Sequence, residues 1–376
     1  MSNLSFWEYD SWFAHIDHTV VGSGIVGLTC ALALKRKYPE DRIVVLESGV
    51  LPTGASTKNA GFACFGSVSE LLDDLRTHSE EEVIQLINAR IEGLRRLQNE
   101  LGSNTIRYQQ LGSYEVFREK DDDTYQECLD KISYINGLMK ETILGKNETF
   151  IVKKSSFSFK NCKKSLIFNP FEGQLDTGRM VQRLLDRARE EGVIILNGVK
   201  VTEIDQKQAK IGLKTTKIDT IWSKNVYIAT NGFAGELLGE NVKPARAQVL
   251  ITEPIKDLAV KGTFHLDKGY YYFRNVGERL LLGGGRNLDF EGETTTRMEC
   301  TPLIQSELER LLETVILPDV AFRIERRWSG IMGIGNQKRP IVKKLGEGLY
   351  CGVRLGGMGV AIGSLVGEQL ANLSEV

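Results

Sequence analysis

The sequence predicts an α/β protein, and three observations in its first fifty residues carry that expectation. A short β-favouring run, His18-Thr19-Val20-Val21, leads directly into Gly22-Ser23-Gly24-Ile25-Val26-Gly27. A helical stretch follows, with Ile25, Leu28, Leu32 and Leu34 among its apolar positions, and ends in Lys35-Arg36-Lys37. A second apolar run, Ile43-Val44-Val45-Leu46, then stops at Glu47. Strand, glycine turn, helix, strand and acid in this order form a βαβ unit of the Rossmann type.

Each residue type in that unit has a physical task. Gly22 permits the tight turn, Gly24 lets a pyrophosphate approach the backbone, and Gly27 lets helix and strand pack closely. Ser23, Ile25 and Val26 complete the turn and open the helix, whose N-terminus offers unpaired N–H groups and positive dipole to phosphate. Glu47, with Ser48 beside it, is placed to accept hydrogen bonds from ribose hydroxyls. An ordinary glycine turn would need neither the second strand nor the acid, so the unit predicts dinucleotide binding.

The opening alone does not choose between NAD and FAD. Gly54-Ala55-Ser56-Thr57-Lys58-Asn59-Ala60-Gly61-Phe62 is a small-residue loop directly after the acid-bearing strand. Such a loop wraps a long ligand with backbone and short polar groups. Downstream, the apolar strand Asn225-Val226-Tyr227-Ile228 ends in the small polar turn Ala229-Thr230-Asn231-Gly232, and a third glycine cluster spans Gly352 to Gly363. Contacts spread this widely suit an extended FAD better than an NAD held by one half-domain.

Composition narrows the partners. A chain of 376 residues is long enough for two intimately joined domains. Its 48 Lys plus Arg nearly match 49 Asp plus Glu, so no global field steers it to nucleic acid or anionic lipid. The densest basic stretch, Lys153-Lys154 to Lys163-Lys164, is broken by Ser and Phe and reads as a solvated loop. The six cysteines are far apart, with no CxxC pair, which speaks against a zinc ribbon or a small disulfide framework. No basic-then-apolar leader opens the chain at Met1-Ser2-Asn3-Leu4-Ser5, and no apolar run reaches membrane-span length. A reduced, cytoplasmic protein is expected.

The blocks along the chain resemble those of the D-amino-acid oxidase, glycine oxidase and sarcosine oxidase superfamily of FAD-dependent oxidoreductases. They run in order from GSGIVG, Glu47 and GASTKNAG (54–61) through FEGQLDTGRMVQRLL (171–185), IATNGF (228–233) and PARAQ (244–248). YYYFR (270–274), LLLGGGR (280–286), RRWSGIMG (326–333), RPIV (339–342) and GGMGVAIG (356–363) complete the series. The Ala-Thr-Asn-Gly turn is most similar to the gamma-glutamylputrescine oxidase branch. The resemblance implies a discontinuous Rossmann-type FAD-binding domain (15–80, 155–235 and 325–376) interleaved with a mixed-sheet substrate domain (81–154 and 236–324). The absence of an internal repeat or a Pro/Gly/Ser-rich linker fits interleaving. Ser79-Glu80-Glu81-Glu82 reads as a capping box for a long amphipathic helix, and Asp176-Thr177 starts another that Gly192 stops.

The same resemblance implies which residues hold FAD, non-covalently. To the N-terminal set it adds Ala55, Ser56, Thr57, Asn59, Ala60, Gly61, Val201, Thr230, Asn231, Gly232 and Gly330. Near the C-terminus it adds Arg354, Gly356, Gly357, Met358, Gly359 and Val360, where a helix N-terminus would favour a reduced, anionic flavin. The implied activity is oxidation of the CH–NH group of a small amine or amino acid, giving an imine that hydrolyses. Oxygen, a quinone or another carrier would take the electrons. Such chemistry asks the protein mainly to orient substrate.

A carboxylate substrate calls for an Arg fork and a Tyr hydroxyl. Period two puts Tyr270, Tyr272 and Arg274 on one strand face and Tyr271 and Phe273 on the other, so the first set, with Arg354, is the candidate substrate clamp. Aromatic packing with a solvated Arg is the plainer alternative for that strand. Arg326 and Arg327 are weaker candidates. Departures from the pattern matter. Met332 stands where glycine-oxidase-like sequences place a carboxylate-gripping Arg, and Lys is missing from Leu280-Leu281-Leu282-Gly283, where sarcosine oxidases carry an oxygen-activating one. None of the cysteines falls where those oxidases attach flavin covalently. His15, His18, His78 and His265 are isolated and receive no role. A 2-hydroxy-acid dehydrogenase, a tRNA-modifying amine oxidase and a flavin protein without turnover are the competing readings; balanced charge argues against the second.

Overall fold

In the computed structural model, which describes residues 4–146, 148–206 and 210–375, two eight-stranded sheets divide the chain between them. Met1–Asn3 of the leader reading lie outside the described residues. The expected βαβ unit is present: strand Ile16–Val21 pairs in parallel with Ile43–Glu47, and helix Ile25–Lys37 connects them. Strand Thr220–Ile228 joins the other side of Ile16–Val21, also parallel, followed outward by Leu349–Val353; Ile194–Asn197 flanks Ile43–Glu47. Parallel strands buried on both faces need continuous apolar runs, and every residue of Ile43–Glu47 is buried.

One face of this sheet is covered by helices Ile25–Lys37, Glu80–Leu101, Thr177–Glu190 and Gly359–Asn372, whose apolar sides share one core. The capping box holds: Ser79 Oγ accepts from the Glu82 N–H, and the Glu82 carboxylate accepts from the Ser79 N–H. Asp176 caps the Arg179 N–H, and Gly192, at φ +84°, turns the chain out of its helix.

The second sheet runs in the spatial order Ile324–Ile334, Lys243–Thr252, Arg279–Gly284, Tyr271–Val276, Thr263–Leu266, Ser113–Val116, Ser165–Asn169 and Ile151–Lys154. All its pairs are antiparallel except Thr263–Leu266 with Ser113–Val116, so the sheet is mixed. The interleaving is finer than the sequence boundaries drawn above. Ser165–Asn169 and residues 325–334, placed above in the FAD domain, pair within the second sheet, Ile324–Ile334 with Lys243–Thr252 along its length. Helix Glu80–Leu101, assigned to the substrate domain, is shared: Leu86, Leu94, Leu97 and Leu101 pack in the nucleotide-side core, and Val83, Ile87 and Ile91 pack in a separate cluster.

Small residues set the helix spacing. A Cβ on Gly93 would lie 2.2 Å from the Ala361 carbonyl oxygen, and one on Gly367 would lie 2.6 Å from that of Val26. Gly93→Val is therefore expected to separate helices Glu80–Leu101 and Gly359–Asn372 and to destabilise the protein by about 1–3 kcal/mol. Urea unfolding would show this as a lower midpoint at unchanged slope.

Candidate active site

The C-terminal ends of the parallel strands are where an open α/β sheet binds its ligand. A cavity of about 730 Å³ begins there and extends to the second sheet. Its first wall is the glycine turn. Gly22 sits at φ +106°, donates its N–H to the Leu46 carbonyl (2.8 Å), and leaves 2.9 Å between a would-be Cβ and the Ala229 carbonyl oxygen. A Cβ on Gly27 would overlap the Gly22 carbonyl oxygen at 1.8 Å. Ser56 Oγ accepts from the Ile25 N–H (2.9 Å), tying the small-residue loop to the helix N-terminus. A Cβ on Gly24 would meet that same Oγ at 2.8 Å.

Glu47 is buried beneath this turn. Its Oε2 accepts from the Ser23 N–H (3.1 Å) and hydroxyl (2.7 Å), and its Oε1 accepts from the Gly49 N–H (2.9 Å). The Ser48 and Thr53 hydroxyls also reach Oε1 at 3.3 Å each, so the acid is fixed in place, and a ribose hydroxyl would replace one of these two longer bonds. Its surroundings fit an adenine dinucleotide: a backbone cradle that any Cβ would fill, a helix N-terminus, and an acid at the rim of one continuous cavity.

Most of the expected FAD residues line the cavity: Gly22, Ser23, Gly24, Ile25, Val26, Glu47, Ser48, Ala55, Ser56, Asn59, Ala60, Val201, Thr230, Asn231 and Gly330. Gly356, Gly357, Met358, Gly359 and Val360 do so as well, where helix Gly359–Asn372 begins. The remainder stand behind the wall. Gly27 and Gly232 allow close backbone packing, Gly232 against the Met332 carbonyl. Thr57 donates its hydroxyl to the Pro52 carbonyl (2.7 Å), and the Gly61 N–H donates to Asn59 Oδ1 (2.8 Å). Asn231, in the left-handed region at φ +44°, accepts through Oδ1 from the Leu355 N–H (3.1 Å), linking two of the ligand-side turns.

The substrate clamp needs correction. Tyr270 and Tyr272 line the cavity, while Tyr271 and Phe273 are buried in the second sheet's core, as period two requires. Arg274 shares their face but lies beyond the cavity. Its guanidinium is buried and donates to the carbonyls of Ala60, Leu175 (3.0 Å) and Asn275 (3.3 Å). Burial pulls its pKa down to about 10. Arg354 also turns away: in the left-handed region at φ +65°, it donates from Nε and Nη2 to the Arg339 carbonyl (3.1 and 2.9 Å). Both arginines donate to backbone carbonyls, and neither lines the cavity. Arg327 is held by Gln305 and Glu309.

A different cation takes the vacated place. The turn Gly284-Gly285, at φ +120° and +81°, delivers Arg286 to the cavity wall. Among the described residues its guanidinium has no hydrogen bond or ion pair; it lies over the Phe290 ring at 4.7 Å and feels the Tyr270 hydroxyl and the charge of Glu293 at longer range. Lys58, also on the wall, has no acidic partner among the described residues, whereas Lys268 and Lys338 face Asp73 and Asp74. Tyr272 packs edge-on to Phe62 at 5.6 Å, and its hydroxyl is pushed up to about 12 by burial. Met332 lines the wall at the position where an Arg was missed. Arg286 and Lys58 both lay in quoted blocks, LLLGGGR and GASTKNAG; the glycine run before Arg286 was the available signal.

Buried acids back this end. Glu115 is raised to about 7 by burial, and Glu172 is raised for the same reason. Burial also raises Glu70, but His265 and the Ser67 hydrogen bonds outweigh it and leave Glu70 below its usual value. His265, given no role from sequence, lies on the cavity wall 3.8 Å from Glu70.

The family pattern of FAD-dependent oxidoreductases matches residues 17–373, and the chain belongs to that family. It is accordingly an FAD-dependent oxidoreductase, of a family of amine and amino-acid oxidases and dehydrogenases in which non-covalent binding of the cofactor is the usual mode. Among solved structures it is similar to glycine oxidase from Geobacillus kaustophilus, with 18% identity and a TM-score of 0.74 over 96% of this chain and 94% of that one. Iminodiacetate oxidase from Chelativorans sp. BNC1 gives 18%, 0.75, and 95% of each chain. L-proline dehydrogenase from P. horikoshii gives 17% and 0.71, over 96% and 93%. Comparison with curated proteins gives no match. At such identities the likeness carries the fold. Among the described residues, no helix is long and apolar enough to cross a membrane.

Arg274→Met should leave three buried carbonyls short of a donor and cost about 3 kcal/mol or more of stability. The KM for substrate should not change. A raised KM at unaltered denaturation midpoint would return Arg274 to substrate binding.

Proposed function

We propose that this enzyme oxidises the CH–NH group of a small amino acid whose carboxylate is gripped by Arg286. The observation that carries this reading is the unpartnered Arg286 guanidinium on the wall of the same cavity that the glycine cradle opens. Glu293, the carboxylate acting on this half-buried guanidinium, is itself ion-paired with Arg246, so the guanidinium is poised for an anion, and its planar fork suits a carboxylate. The named substrates of the similar enzymes, glycine, proline and iminodiacetate, each carry a carboxylate next to a C–N bond. That common chemistry supports the reading.

Bound FAD supplies the hydride acceptor for the substrate's α-carbon, and the imine left behind is hydrolysed by water. The chain's own residues bind and orient. Arg286 fixes one end of the substrate, the Tyr270 hydroxyl offers a second donor, and Phe62, Tyr272 and Met332 give an apolar wall that excludes water. Lys58, free of an acidic partner, keeps positive charge on the cavity wall.

Anaerobic mixing with panels of amino acids, simple amines and 2-hydroxy acids tests the substrate class through bleaching of the flavin. Amino acids should bleach it. Bleaching by hydroxy acids alone, or by nothing, would overturn the proposal. Arg286→Met should raise the KM for the amino acid about 10- to 100-fold, the equivalent of losing a charged hydrogen bond of ~1.5–3 kcal/mol. Any uncharged amine that is turned over should keep its KM.

A further inference from the structure

We propose that the cavity's inner wall holds a divalent-metal site, built from Cys64, Glu172 and His265 and suited to zinc. One ligating atom from each residue lies within 4.8 Å of the other two. The three come from separate segments: the chain after strand Phe62–Ala63, the residue before strand Gly173–Gln174, and strand Thr263–Leu266. All are at least nine-tenths buried, with exposures of 1%, 0% and 5%.

Two atoms of this cluster are left without partners. Glu172 Oε1 accepts from the N–H groups of Phe65 (2.6 Å) and Gly66 (3.0 Å), which pins the carboxyl group, while Oε2 has no hydrogen bond. His265 Nε2 is likewise unpartnered, while Nδ1 faces Glu70 Oε2 at 3.8 Å. Buried polar atoms in folded proteins find partners, and one cation between these two would satisfy both. A carboxylate behind an imidazole is also the usual outer support of a histidine ligand, fixing its ring and tautomer.

The donor set chooses the ion. Thiolate, imidazole and carboxylate together suit zinc, whereas magnesium and calcium favour oxygen alone. Zinc bonds of about 2.0–2.3 Å would draw the three side chains inward by about an ångström. Binding releases the Cys64 thiol proton to solvent, and thiolate plus Glu172 carboxylate then balance the ion's double charge. Cys64 and His265 lie on the cavity wall, which gives the ion its way in and leaves the fourth position to water. The ion would clamp together three segments that support Phe62 and its neighbour Tyr272.

Elemental analysis of the holoenzyme tests this, after incubation with equimolar zinc chloride and desalting. Close to one zinc per FAD is expected, with X-ray absorption showing one sulfur and otherwise nitrogen or oxygen neighbours. Glu172→Gln keeps the acceptor for Phe65 and Gly66, so it should stay yellow and lose zinc affinity about tenfold or more; Cys64→Ser should do the same. A yellow wild-type protein without zinc, zinc with no sulfur neighbour, or equal zinc in all three proteins would overturn the proposal. Should both variants fail to fold, the wild-type spectrum decides alone. A colourless wild-type protein would count against FAD binding, and its zinc content would still decide the metal site.

Discussion

The structure depends on how closely backbone can approach backbone at the N-terminus of helix Ile25–Lys37. Gly22 and Gly27 touch there with no room for a side chain, and Gly22 also lies against Ala229, just past the end of strand Thr220–Ile228. Ser56 and Glu47 then lock the turn from two sides, one through the Ile25 N–H and the other through Ser23. A diphosphate needs bare N–H groups at short range; Leu46, Glu47 and Ser56 take those of Gly22, Ser23 and Ile25, and among the described residues those of Gly24 and Val26 stay without a partner. Helix Gly359–Asn372 lies against the same helix, so its N-terminus reaches the same cavity from the far end of the sequence.

From that fixed point the second sheet gains its function by position. Strand Ile324–Ile334 passes the cavity through Gly330, Ile331 and Met332 while pairing with Lys243–Thr252, so one strand serves both the cofactor side and the substrate side. Arg274 acts as a brace: its guanidinium collects carbonyls from the small-residue loop and from Leu175, holding the loop that wraps the ligand against the sheet. Three of its five N–H donors are used in this way, and its side chain lies off the cavity wall. Arg286, carried to the cavity wall on a glycine turn, makes no hydrogen bond from its guanidinium among the described residues.

The cofactor half of this arrangement was legible in the sequence because its requirements are local. Tight turns demand Gly22 and Gly24, the helix must follow at once, and Glu47 must end the next strand. The alternation of Tyr270, Tyr272 and the buried Tyr271 and Phe273 was legible for the same reason, since period two is a property of one strand. What one strand cannot say is where its face leaves the cavity, and Arg274 was misread on that account. Arg354 was misread because its direction is set by a left-handed backbone turn and by the carbonyl of Arg339, fifteen residues away. His265 and Glu172 are brought together only by the pairing of distant strands. That Ser165–Asn169 and residues 325–334 pair within the second sheet was hidden for a similar reason: strand partners are chosen in space.

The account stands on the glycine cradle as the seat of FAD, and the FAD content of Gly24→Val measures that most directly. A valine side chain there would displace Ser56 Oγ and fill the space meant for the diphosphate. Wild-type protein should purify with close to one FAD per chain, released on denaturation. The variant should be folded by circular dichroism, colourless, and weaker for added FAD by about tenfold or more. A folded variant that stays yellow with wild-type affinity would contradict the account.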